Sequence, residues 1–230
     1  GYVAALHLRA MLHATGGADT KRPPRSLHVR FLSAGVEGPI EVHVQTVRAG
    51  RSVTILASRI VQNGKDVSTA TAAFGAAASE VSYCDAHLPD GLPAADSCSV
   101  APRFVPINHR VEARPVFGGP PRQAARAEAG GYVRLEEPRA PDALLLALLW
   151  DVFIPTPLLR ALDARFGGAA PTIEASVYFH APEIHAAADA FYFARFESRI
   201  AQQGYFEESS EIWGPDGTLL STGRQLALLY

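Results

Sequence analysis

The chain carries one pattern twice: an apolar helix followed by a run of alternating strands. In the first half, residues 2–15 have helical apolar periodicity that stops before Gly16 and Gly17. Strands are predicted at 26–31, 40–47, 52–62 and 66–74, with a tight hairpin at Asn63-Gly64. In the second half, residues 140–153 read as a helix, with Pro141 and Asp142 in its first turn and Pro155 closing it. Strands follow at 172–180, 190–198, 206–213 and 218–229, the last two joined by Pro215-Asp216-Gly217. The turn glycines, Gly64 and Gly217, lie 153 positions apart, as expected of a duplicated unit. Such a chain is α+β, two tandem repeats in each of which an antiparallel sheet wraps one apolar helix.

The predicted boundaries are 1–75 for the first repeat, 76–107 for an Ala- and Pro-rich surface connection, and 108–230 for the second repeat. The second repeat also has leading strands, at about 109–117 and 132–136, which the first has no room for before Gly1. Either the true N-terminus precedes Gly1, or the first repeat is unusually short there.

Composition closes several routes. A formal net charge of −2 leaves no basic stripe for phosphate backbones, so a nucleic-acid partner is not expected. The longest apolar run is too short to span a bilayer and is broken by Asp151 and Pro155. No basic-then-apolar segment opens the chain, which makes cytoplasmic residence the expectation. Cys84 and Cys98 have no CxxC spacing and read as reduced thiols, and the eight histidines form no metal-ligand pattern. No phosphate-binding glycine motif is present, so neither a metal nor a cofactor is expected.

Against that background one residue is out of place. Asp151 follows the run Leu144-Leu145-Leu146-Ala147-Leu148-Leu149-Trp150, and a carboxylate removed from water needs hydrogen bonds or charges to compensate it. The bland alternative is an acid solvated at a helix end. Gln225 is a second outlier, a lone amide in the row Leu219, Ser221, Gly223, Ala227 and Leu229. Its counterpart eight positions past the first turn glycine is Ala72, so the amide belongs to one copy only. Thr172 opens a strand after Pro171, a routine place for a threonine. Alternation puts it on a face with Glu174, Ser176, Tyr178 and His180, opposite the helix-packed Ile173, Ala175, Val177 and Phe179. A carboxylate, a hydroxyl and an amide, without a Ser-His or Cys-His pair, suit the placing and activation of a water. Glu174 reads as a solvent-facing or interface charge, and His180 and His185 as surface or satisfied residues.

The order of these pieces resembles the double-hotdog acyl-CoA thioesterases of the thioesterase II type. The matching stretches in the first half are Gly1-Tyr2-Val3-Ala4-Ala5, Ser26-Leu27-His28-Val29-Arg30-Phe31, Val47-Arg48-Ala49-Gly50-Arg51-Ser52 and Gln62-Asn63-Gly64. In the second they are Leu148-Leu149-Trp150-Asp151, Pro171-Thr172-Ile173-Glu174 through Phe179-His180, and Asp216-Gly217 through Ser221-Thr222-Gly223-Arg224-Gln225. The resemblance implies hydrolysis of a fatty acyl-CoA by a water held by Asp151, Thr172 and Gln225, all from the second hotdog. Arg48 and Arg51 are candidates for the CoA phosphates, the alternative being a solvated turn. The tryptophan often found in the third stretch of the second copy is replaced near Phe191, a candidate for altering the acyl pocket. A homodimer or higher homo-oligomer is expected, on the premise that apolar outer sheet faces must be covered. Two alternatives stay open: a non-catalytic acyl-CoA-binding hotdog protein, and a hotdog hydratase or dehydratase, whose first-half histidine motif is not found here.

Overall fold

The computed structural model describes residues 1–16, 22–103, 106–118, 125–161, 170–181 and 183–230. The first helix, α1 (Tyr2–Ala14), buries Ala4, His7, Leu8 and Met11, the stripe that a 3.6-residue period produces. It ends where the Thr15 hydroxyl donates to the Leu12 carbonyl and Gly16 adopts a φ of 99°. Four strands follow: β1 (Pro24–Phe31), β2 (Glu41–Ala49), β3 (Val53–Gln62) and β4 (Lys65–Gly75). Asn63 and Gly64 both have positive φ, 52° and 74°, as the expected two-residue hairpin requires.

The second half contains β5 (Val111–Phe117), β6 (Ala127–Leu135), α2 (Ala143–Leu149), α3 (Thr156–Ala161) and β7 (Thr172–Phe179). It continues with β8 (Tyr192–Ser198), a short β9 (Ala201–Gln202), β10 (Tyr205–Trp213) and β11 (Leu219–Leu228). α2 is shorter than expected at both ends. Asp142 lies outside it as the cap, accepting from the Leu145 N–H at 2.9 Å, and Trp150 closes it. Asp151 therefore lies in the turn before α3 and not within a helix. α3 is an element that the expected stop at Pro155 did not anticipate.

All pairings are antiparallel, in the order β2-β3-β4-β1-β7-β11-β10-β8-β6-β5, with β9 on β10. The two copies thus share one sheet, joined where Ser26–Arg30 of β1 pair with Tyr178–Glu174 of β7. The outer side of this seam is polar rather than apolar. Arg30 pairs with Glu174 at 2.9 Å, and His28 lies 2.8 Å from the Ser176 hydroxyl. On the inner side α1 and α2 pack against each other. Leu8, Met11, Leu27, Leu56 and Phe74 build the core of the first copy, and Leu146, Leu149, Trp150, Val177 and Phe196 that of the second. The connection between copies is tied down where Tyr132 donates to the Pro93 carbonyl (2.7 Å) and Arg114 to that of Ala95 (2.9 Å).

Candidate active site

Asp151 is less buried than its apolar neighbours suggest, its side chain being 37% exposed. The reason is local: Trp150 turns into the core at the end of α2, which leaves the next side chain at the rim. What Asp151 meets there is the start of α1. The Gly1 nitrogen donates to its Oδ2 at 2.7 Å. Gly1 fits because it lacks a side chain, since a Cβ there would lie 2.2 Å from the Leu148 carbonyl oxygen. The beginning of the first helix and the end of the second therefore meet at this acid.

Thr172 reaches the interior by a device that simple alternation does not show. In the β7–β11 ladder Leu226 faces Glu174, but the next residue, Ala227, faces Thr172, so Ile173 is an extra residue on β7. A one-residue bulge reverses the parity of the strand beyond it. Glu174 and Ser176 stay on the outer face as expected, whereas Thr172 turns inward, correcting its assignment to their face. Its hydroxyl donates to Gln225 Oε1 at 2.6 Å.

Gln225 is buried on the inner face of β11 with Ser221, Gly223 and Ala227. Its amide Nε2 donates to Glu208 Oε2 at 2.6 Å. Glu208, on β10 directly across from Gln225, is only 4% exposed. Its other oxygen accepts from both the backbone N–H and the hydroxyl of Thr156, each at 2.7 Å. Burial pushes the Glu208 carboxyl above its usual range, and the Asp151 charge adds to that push. The donors from Thr156 and Gln225 act in the opposite direction. Through Thr156, at the start of the helix that follows the Asp151 turn, Glu208 ties that segment to the Thr172–Gln225 pair. Among the described residues no hydrogen bond joins Asp151 itself to Thr172 or Gln225.

Sequence reasoning missed Glu208 and Thr156. The signal for Glu208 was present: Phe206, Glu208, Ser210 and Ile212 alternate along the buried face of β10. In the first copy the equivalent cross-strand pair is Leu56 opposite Ala72, both apolar. Trp150 Nε1 and Ser221 Oγ, also in the second copy, are buried and have no hydrogen-bond partner among the described residues.

The remaining candidates lie elsewhere. Arg48 and Arg51 flank the β2–β3 turn, at the end of the sheet where Gly75 and Pro24 lie, whereas Thr172 is at the opposite end. Phe191 is stacked by the guanidinium groups of Arg134 (4.2 Å) and Arg114 (4.9 Å), both of which pair with Glu112. His180 lies 2.9 Å from the Thr222 hydroxyl, and exposed His185 is 3.8 Å from Glu183. A cleft of about 780 Å³ opens at the far ends of α1 and α2, with Leu12, Leu144, Phe179 and Ile184 in its wall. A second, of about 790 Å³, lies over the outer face of β1 to β4 and β7. Neither contains Asp151, Thr172 or Gln225. Among the described residues no group of side chains is arranged to hold a metal ion, and Cys84 and Cys98 are free thiols. No helix among them is long and apolar enough to cross a membrane.

Comparison with known proteins brings these features together. The profile of the acyl-CoA thioesterase N-terminal domain matches residues 1–75, and that of the C-terminal domain matches residues 84–229. A conserved hot dog-fold protein of unknown function from Alicyclobacillus acidocaldarius is similar, with a TM-score of 0.84 and 26% identity over 99% of this chain and 85% of that one. A tesB protein from Mycobacterium avium subsp. paratuberculosis has a TM-score of 0.78 and 21% identity, covering 99% of this chain and 85% of that one. For an acyl-CoA thioesterase II from Mycobacterium marinum the values are 0.73 and 21%, over 92% and 82%. The comparison with curated proteins gave no match. With helix-and-sheet units in tandem, and a domain profile matching each of them, the chain belongs to the acyl-CoA thioesterase family and is a thioester hydrolase of double-hotdog fold.

Proposed function

We propose that this thioesterase hydrolyses fatty acyl-CoA to free acid and CoA with a water held by Asp151, Thr172 and Gln225. The observation that carries the reading is the 2.6 Å bond between Thr172 and Gln225, made inside the second copy by a bulge that turns Thr172 inward. With the Thr172 proton directed at Gln225 Oε1, the hydroxyl oxygen is left to accept from a water. The second N–H of Gln225 is left to donate to it. A water in that position gives one proton to Thr172 and the other to Asp151, and its free lone pair faces the thioester carbon.

The step balances without an added reagent. The water oxygen bonds to the carbonyl carbon as its proton passes to the Asp151 carboxylate. The C–S bond then breaks, and the departing thiolate takes that proton. Backbone N–H groups in the first turn of α1, which begins at the Asp151 carboxylate, are suited to the oxyanion.

The test is thiol release from a series of acyl-CoAs of different length. Asp151→Asn is expected to lower kcat at least a hundredfold while melting temperature and acyl-CoA binding stay close to wild type. Wild-type turnover in that variant would refute the assignment. Binding without turnover in the wild-type chain would favour a non-catalytic acyl-CoA binder.

A further inference from the structure

We propose that Glu208 is the positioning residue of this site, its carboxylate setting the direction of the hydrogen bonds that run from Thr172 through Gln225. The inference rests on the reading of Thr172 and Gln225 as the pair that holds the water. Its own observation is the convergence of donors on Glu208. The Thr156 N–H and hydroxyl point at Oε1, and the Gln225 amide points at Oε2. The two Thr156 donors hold back the rise that burial imposes on this carboxyl, and in its ionised form Glu208 only accepts. Gln225 must therefore present Nε2 to Glu208 and Oε1 to Thr172, and Thr172 must spend its single proton on Gln225. Which corner of the site offers a water a lone pair, and which offers a proton, is thereby decided one residue further back.

The location of Glu208 supports this role. It faces Gln225 across the β10–β11 ladder, and the first copy has Leu56 facing Ala72 at the matching rungs. The copy without the amide is also without the acid. A buried carboxylate is a costly way to tie α3 to β10 when an apolar residue serves the equivalent position.

Glu208→Gln separates positioning from structure, because the Thr156 backbone N–H cannot be reversed. That N–H obliges the new amide to turn its oxygen toward Thr156 and its NH₂ toward Gln225. Gln225 must then rotate to offer Oε1, and Thr172 becomes the acceptor of its Nε2. Shape and bond count are kept while the direction of every bond beyond Glu208 is inverted.

Steady-state thiol release is measured for wild type, E208Q, Q225A and the double variant, with melting temperatures alongside. E208Q is expected to lose at least tenfold in kcat with KM within twofold and a melting temperature no lower than wild type. Adding E208Q to Q225A is expected to change kcat by less than twofold, since the acid acts only through the amide. An inactive Q225A beside an E208Q with wild-type kcat would overturn the role of Glu208 and leave the site reading standing. Full activity in Q225A would overturn the site reading and this inference with it. Activity that falls only in proportion to lost folded protein would make Glu208 structural and overturn the proposal. Should E208Q fail to fold, E208L, carrying the residue type of Leu56, is read per folded molecule. A tenfold loss there supports the role, and wild-type kcat overturns it.

Discussion

His7 makes the stability of the first copy sensitive to acid. Its ring is fully buried, with Nδ1 2.6 Å from the Ser58 hydroxyl and Nε2 2.9 Å from that of Ser68. One ring nitrogen donates and the other accepts, so the two serines fit the neutral imidazole. Burial lowers its pKa from 6.5 to about 4. The unfolded chain binds this proton from about pH 6.5 downward while the native protein refuses it, so stability is lost as pH falls through that window. At pH 4 the loss is about 3 kcal/mol, a large share of the 5–15 kcal/mol that holds a typical domain together. The assay is urea denaturation of wild type and His7→Gln at several pH values from 7.5 to 4. Subtraction removes groups common to both, including Glu208, whose raised pKa makes it contribute in the opposite sense as pH falls. The wild type should lead at pH 7.5 and forfeit about 3 kcal/mol of that lead by pH 4. Two curves that stay parallel would refute the assignment of His7 as the buried neutral group.

Two further outcomes follow from packing and backbone. A Cβ at Gly223 would lie 2.5 Å from Ser210 Oγ and 3.7 Å from Trp150 Cβ. Gly223→Val should therefore cost roughly 1–3 kcal/mol in urea denaturation. By pressing on Trp150, it should also lower thiol release by displacing Asp151. Gly64→Ala, at a φ of 74° with open space around its Cβ, should cost roughly 1–2 kcal/mol through backbone strain and leave kcat unchanged.

Much of the architecture was legible because it rests on local rules. Period-two alternation and turn residues located β1 to β4, β7, β8, β10 and β11 closely, and Asn63-Gly64 folded as its composition requires, whereas the two-residue β9 was not expected. The helix at 140–153 was overextended because apolarity continues past the true end, whereas the chain is committed by the Asp142 cap and by the space that receives Trp150. β6 runs from Ala127, earlier than expected, because Gly130 and Gly131 hide its strand character. They are there for the close approach of Phe117 and the Arg114 backbone. Thr172 was placed on the wrong face because a bulge has no signature in the strand that carries it. It is defined by the partner strand, which no local pattern specifies. Glu208 was overlooked although it alternates with Phe206, Ser210 and Ile212, because Glu207 beside it is acidic too and composition does not single out either one. Alternation puts Glu208 on the inner face, and the cross-strand register adds what the strand alone does not show, that it faces Gln225.

The seam between β1 and β7 makes the two copies inseparable in space although they are divisible in sequence. β7, whose first residue is Thr172, is bonded along one side by the other half of the molecule. Cut the chain in its connecting segment, and the half holding Gln225 and Glu208 would present a long, unshielded row of amides and carbonyls, an invitation to self-association. Tandem repetition is thus an obligation here: the half without the amide is the wall against which its twin is built.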